Sequence, residues 1–205
     1  MIQAEIRMLH QEAISEELPR YRLCKIFGSE VGRDFTLVSG DGDERHVHKA
    51  VLNASSPVFE RMFQSNLEEC RTGRCVIPDI STATLDMLLN FMYHCSVADL
   101  TKNAMELLPP ADKYEIFDLK KACEEALKNT VNLENMADLL VLADMFSATE
   151  LKGTILKIVE TKPDKREDTA TAGAITALED RAIKSGRTDL VREVFSAGYK
   201  SGRKL

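Results

Sequence analysis

Apolar residues along this chain recur mostly every three or four positions, the spacing of helices that bury one face. Ile2, Ile6, Leu9 and Ala13 keep that spacing ahead of Pro19 and predict an amphipathic helix over 1–19. Leu23, Ile26 and Phe27 predict a short helix ended by Gly28. The period then drops to two. Asp34 to Val38 reads as a strand, Gly40-Asp41-Gly42-Asp43 as a turn that tolerates positive φ, and Arg45 to Val47 as the returning strand. Ala50, Val51 and Ala54 mark a short helix. Ser56-Pro57 opens another, capped by Ser55 or Ser56, with Val58, Met62 and Phe63 on its apolar face.

Cys75-Val76-Ile77 predicts a third strand, and Ser81 or Thr82 caps a buried helix carrying Leu85, Leu88, Leu89, Met92 and Tyr93. Val97 to Leu100 reads as an edge strand. A helix from near Lys102 turns Met105, Leu107 and Leu108 inward and breaks at Pro109-Pro110, since a proline biases the residue before it away from α geometry. Leu119, Ala122, Cys123, Ala126 and Leu127 define the next helix, and Ala137, Leu140, Val141 and Asp144 the one after. Ser147-Ala148-Thr149-Glu150 has the form of a capping site for a helix through Leu151, Ile155, Leu156 and Val159. Thr161 to Thr171 is polar and reads as a linker. Two short helices follow, through Ile175, Leu178 and Ala182, then Leu190, Val191, Val194 and Phe195, divided by Ser185-Gly186-Arg187.

Five phrases carry a resemblance: His48-Lys49-Ala50-Val51-Leu52, Ser56-Pro57-Val58-Phe59, Met62-Phe63, Ala111-Asp112-Lys113-Tyr114 and Leu140-Val141-Leu142-Ala143-Asp144. In this order and separation they resemble the BTB (POZ) domain, most closely its speckle-type branch. The resemblance implies an α+β fold, a helical cluster flanked by a small, mostly antiparallel sheet, followed by a helical three-box or BACK-like extension. The expected organisation is an N-terminal amphipathic helix at 1–19, a BTB/POZ domain at 20–130, a three-box hairpin at 131–160, and a linker with a short helical tail at 161–205. Relatives often carry a substrate-binding MATH domain ahead of this fold. Residues 1–19 cannot form one, so either the protein lacks it or this chain is a piece.

The resemblance also implies two contact sites. Leu23, Phe27 and Val51 would form a two-fold dimer interface, which fits the need to cover an exposed apolar patch. Ordinary burial in the core is the alternative. Leu67-x-Glu69 resembles the hydrophobic-x-glutamate motif by which adaptor BTB domains engage the cullin three scaffold of ubiquitin ligases, with Phe63 and Tyr114 beside the same groove. An apolar anchor next to a carboxylate suits an interface. A solvated helix end is the alternative, and a break at Pro109-Pro110 would displace Lys113 and Tyr114.

Composition narrows the classes. The 205 residues are 44% hydrophobic, enough for one substantial core with an appendage. Residues 161–205 hold ten Lys/Arg and seven Asp/Glu, net +3, which leaves residues 1–160 with 17 and 26, net −9. An acidic globular part argues against a nucleic-acid partner. Five widely spread cysteines, and no apolar run after Met1, predict reduced thiols in the nucleus and/or cytoplasm. No stretch has the length to cross a membrane. His46 and His48 share a strand face, but no third ligand sits at a metal-binding spacing, so both read as structural, with His48 holding the strand-to-helix corner. Cys70 and Cys75 lack the spacing of a zinc or redox pair. No phosphate loop, nucleophile elbow or zinc motif occurs, so no enzyme, metal or cofactor is expected. The expected function is a homodimeric adaptor that joins a cullin three-type scaffold to an unidentified substrate protein. The alternatives are a dimerisation module of a transcriptional or architectural regulator that does not bind cullin, and a short form that recruits no substrate.

Overall fold

Strands β1 (Phe35–Val38) and β2 (Glu44–Val47) pair antiparallel, Phe35 opposite Val47 and Val38 opposite Glu44. The structure is a computed structural model and describes residues 27, 29–65, 68–94, 96–161 and 169–201. Gly42, at φ 91°, closes the hairpin, and the Ser39 N–H bonds the Asp43 carbonyl at 2.9 Å. Helices α1 (Lys49–Ser55), α2 (Pro57–Gln64) and α3 (Glu68–Thr72) then carry the chain to β3 (Arg74–Val76). That helical crossover delivers β3 parallel to β1 on its free edge. The α+β class holds, and the sheet is mixed, in the order β2-β1-β3, with one antiparallel and one parallel pair.

Helix α4 (Thr82–His94) buries Leu85, Leu88, Leu89, Met92 and Tyr93, as its spacing predicts. Ser81 is its cap, accepting from the Thr84 N–H at 3.2 Å. The chain divides into two compact units, one containing residues up to Ala98 plus Lys113–Ile116, the other Asp99–Asp112 plus the chain from Phe117 onward. The core of the first includes Leu37, Leu52, Phe59, Ile77, Leu85 and Tyr93, each at most 2% exposed.

Among the described residues, six helices build the second unit: α5 (Leu100–Lys113, its last residue counted with the first unit), α6 (Phe117–Lys128), α7 (Met136–Met145), α8 (Thr149–Thr161), α9 (Thr169–Lys184) and α10 (Thr188–Ser201). Helices α7 and α8 pack together, α9 lies on α7, and α10 lies on α8 and α9.

Several expectations need correction. Val97 to Leu100 is not a strand. Asp99 turns at φ 48° and its carbonyl accepts from the Lys102 N–H, so the segment starts α5. Nor does α5 break at Pro109-Pro110, which both lie inside it. The two prolines withhold donors only from the carbonyls of Met105 and Glu106, residues on the exposed side, where water can serve. Ala104, Leu107, Leu108 and Ala111, spaced at three and four, are all 0% exposed and hold the helix in one phase, which leaves Met105 47% exposed instead of inward.

Similar phase shifts occur elsewhere. Helix α7 buries Met136, Leu139, Leu140 and Ala143, while Ala137, Val141 and Asp144 are half-buried. In α1 the buried pair is Val51 and Leu52, with Ala50 and Ala54 exposed. Ser147, at φ 50°, ends α7 and does not cap α8. The buried Glu124 carboxylate does so from α6, accepting the Glu150 and Leu151 N–H groups at 3.1 and 3.3 Å. Helix α9 begins at Thr169, inside the stretch expected to be a linker. Residues 1–19, Leu23, Ile26, Gly28 and Leu67 lie outside the described residues.

Candidate protein-docking surface

Ser56 sets the surface. Its backbone is extended, Pro57 follows at the first helical position, and its hydroxyl accepts the Phe59 N–H at 3.2 Å. The same hydroxyl donates to the Tyr114 carbonyl at 2.5 Å, and Ser56 is 0% exposed. One side chain therefore caps α2 and ties it to the turn after α5. The cap fixes the phase of α2: Phe59 is buried at 2% exposed, while Val58, Met62 and Phe63 are half-buried, so the apolar face is turned from the expected one by about one residue, ~100°.

An aromatic row follows from that phase. Tyr114 stacks on Phe59 with centroids 5.1 Å apart and planes at 8°, and Phe63 stacks beyond Phe59 at 6.1 Å. Phe63 also meets Phe35 edge-on at 5.0 Å, with the Lys49 ammonium 5.4 Å from the Phe35 centroid and 5.8 Å from that of Phe63. Tyr114 is only 6% exposed, so it supports this face from beneath. Burial pushes its phenol pKa up, against the pull of Lys113.

Ionic ties hold the turn at Tyr114 in place. Lys113 reaches both oxygens of Asp79 at 2.7 Å and stands 5.3 Å from the Tyr114 ring centroid. Partial burial works against the ammonium, but the Asp79 hydrogen bond together with the charges of Tyr114 and Asp79 outweighs it and raises the Lys113 pKa, while the same hydrogen bond holds Asp79 below the usual carboxylate value. Arg61 on α2 pairs with Glu115 at 2.7 Å.

Beyond α2 the chain tightens. The Met62 carbonyl accepts from the Ser65 hydroxyl at 2.6 Å and the Cys70 thiol at 2.8 Å, which seats α3 close to the end of α2. Glu69, in the first turn of α3, is half-exposed. Burial pushes the nearby Cys75 thiol up, Glu69 adds to it, and Cys75 in turn raises Tyr114. Of the four residues expected to contact a cullin, Phe63 and Tyr114 both stack on Phe59, Glu69 stands half-exposed at the start of α3, and Leu67 lies outside the described residues.

The expected dimer residues divide similarly. Val51 is 9% exposed within a single chain. Phe27 is half-buried, its ring 4.7 Å from that of Tyr93 and 5.1 Å from that of His94. His48 closes the corner beside them: the Tyr93 hydroxyl accepts its backbone N–H at 3.0 Å and lies 2.8 Å from Nδ1, and Nε2 is 3.1 Å from the Val31 carbonyl. This set is satisfied when Nε2 carries the proton and Tyr93 donates to Nδ1. His48 is thus committed to the fold. His46 bonds the Thr36 hydroxyl across the hairpin at 3.0 Å.

Sequence reasoning passed over Asp79 and Glu115. Asp79 and Glu115 matter through partners 34 and 54 residues away, which no local pattern reveals. A family model for the BTB/POZ domain matches residues 25–131, the stretch that holds β1–β3 and α1–α6.

Proposed function

We propose, on the premise that the chain belongs to the BTB/POZ domain family, that it is a homodimeric adaptor delivering substrate proteins to a cullin three-type ubiquitin ligase. The family's domain is a non-enzymatic module for self-association and protein–protein interaction. The adaptor reading is finer than that. The observation that supports it is the half-exposed Glu69 carboxylate in the first turn of α3, directly after α2, the helix whose Phe59 and Phe63 stack with Tyr114. A carboxylate at a helix start can fix the register of a docked helix, and Leu67, two residues earlier in the sequence, would supply the apolar anchor.

The dimer would join through Leu23, Phe27 and Val51, and a two-fold adaptor would double the valency toward a multivalent substrate, raising avidity without new contacts. The place of action would be the nucleus and/or cytoplasm. The deciding experiment is co-precipitation of a cullin three-type scaffold by wild-type protein and by Leu67→Asp/Glu69→Lys. Retention by the wild type and loss in the variant supports the adaptor. No retention by the wild type leaves a dimerisation module of a transcriptional or architectural regulator. A solution mass of one chain at micromolar concentration would remove the dimer from both.

A further inference from the structure

The helices of the second unit use one motif three times. Helix α5 buries Ala104, Leu107, Leu108 and Ala111, and α7 buries Met136, Leu139, Leu140 and Ala143, each 32 residues later. Leu119, Cys123 and Leu127 of α6 recur as Leu151, Ile155 and Val159 of α8 at the same interval. A further 39 residues on, Leu178, Ala182, Leu190 and Val194 match Leu139, Ala143, Leu151 and Ile155, none more than 1% exposed. In that register Glu115, Ser147 and Gly186, at φ 52°, 50° and 70°, make the same left-handed exit. Phe117, Thr149 and Thr188 each open the second helix two residues later. The pairs α5–α6, α7–α8 and α9–α10 are three copies of one helical hairpin, stacked α8 on α6, α9 on α7 and α10 on α8.

The two seams of this stack are closed differently. Between the first and second hairpins, the buried Glu124 carboxylate of α6 caps α8. The residue in its place in α8 is Leu156, whose side chain has no acceptor to offer α10. Ion pairs hold the second seam instead: Arg181 with Asp138, Arg187 with Asp144 at 2.5 Å, and Glu193 with Lys152 at 2.7 Å. Arg181, Arg187 and Glu193 keep 53%, 40% and 43% of their side chains exposed, so salt reaches and screens all three. Among the described residues the second hairpin packs on a hairpin to either side, the third on one. In such a stack each repeat is held by its neighbours alone, and an end repeat on a screened seam is the first to open.

We infer that α9–α10 is a lid on α7–α8, latched by charge, which opens as one piece while the first two hairpins stay folded. Ionic strength then sets how often the α7 and α8 surfaces beneath it are accessible. The charges suit a latch that can let go. Asp144 pairs with Lys152 at 2.7 Å within the second hairpin, as the equivalent Asp112 pairs with Lys120 at 2.6 Å within the first. Opening therefore strands no unpaired charge on the second hairpin. The departing Arg181, Arg187 and Glu193 are already partly hydrated, so releasing them costs little. The inference does not rest on cullin binding.

The test is native-state hydrogen exchange of the full chain, read by mass spectrometry of peptides from 169–201, 136–161 and 100–128, at about 50 mM and about 1 M sodium chloride. Amides of 169–201 are expected to open together and more often than those of the other two hairpins. Their opening constant should rise roughly 10-fold between the two salts, and that of 100–128 less than ~3-fold. Arg187→Gln/Glu193→Gln should bring the low-salt opening to the high-salt value and remove most of its salt dependence. Arg192→Gln, a charge on α10 outside the seam, is the control and should change nothing. Equal exchange of 169–201 and 136–161 at both salts would make the hairpins one cooperative body and overturn the inference. Opening that neither salt nor the double substitution alters overturns it, as does an equal effect of the control. Complete exchange of 169–201 at low salt, which would mean that no closed lid exists, overturns it too.

Discussion

Replacing Ser56 with alanine tests the physical basis of the docking surface. The hydroxyl does two jobs, accepting the Phe59 N–H at the start of α2 and donating to the Tyr114 carbonyl. Loss of a serine cap costs about 1 kcal/mol. The Tyr114 carbonyl would also lose its donor at a fully buried site, which costs about 1–3 kcal/mol. Water cannot fill in without opening the joint, so Ser56→Ala should destabilise by about 2–4 kcal/mol in all. Urea unfolding followed by circular dichroism reads this as a midpoint lowered by roughly 1 M or more, at an m of ~2 kcal/mol/M. Following the near-ultraviolet tyrosine signal, to which the buried Tyr93 and Tyr114 contribute, reports on the first unit. Ser55→Ala is the control, expected within ~0.5 kcal/mol because Ser56 carries the cap. A Ser56→Ala shift below ~0.5 kcal/mol, or equal effects at both serines, would refute the reasoning.

Three further outcomes are expected. Burial works to raise the Asp144 pKa, but the hydrogen bonds and positive charges of Lys152 and Arg187 together outweigh it and hold the carboxyl below its ordinary value. Its stabilising effect is therefore complete above the unfolded-state pKa of about 3.9 and is lost as pH falls toward the folded value. Asp144→Asn should cost about 2 kcal/mol at pH 7 and flatten the stability loss below about pH 4 in acid titrations of circular dichroism. Gly40→Ala should lower stability by about 2 kcal/mol or more in thermal melts, because a Cβ there would collide with the Pro78 carbonyl while the Gly40 N–H bonds Ile80 at 2.7 Å. Burial pushes the Cys123 thiol up to about 12, so at pH 8 it should resist iodoacetamide in the folded protein while, among the described cysteines, the half-exposed Cys70 reacts first, as peptide mass mapping will show.

Local spacing was enough to read most of the element order, because periods of two and of three to four follow from where a strand or helix points its side chains, but it placed a strand at Val97 to Leu100 and no separate helix at Glu68–Thr72. The hairpin of β1 and β2, the stripe of α4 and the Ser56-Pro57 start of α2 all involve partners a few residues apart. The aromatic stack was only partly legible. Phe63 and Tyr114 came from a resemblance in residue order, whereas Phe59 emerged as the centre of the stack once the cap had set the helix phase. Burial inverted several readings in the same way: Met105 faces out and α5 runs through Pro109-Pro110, since four buried positions outweigh two missing donors on a wet side. Asp79 with Lys113, Glu124 over the start of α8, and Arg187 on Asp144 join residues 26 to 43 positions apart. Such pairings depend on how helices stack in three dimensions, and one-dimensional periodicity carries no information about that.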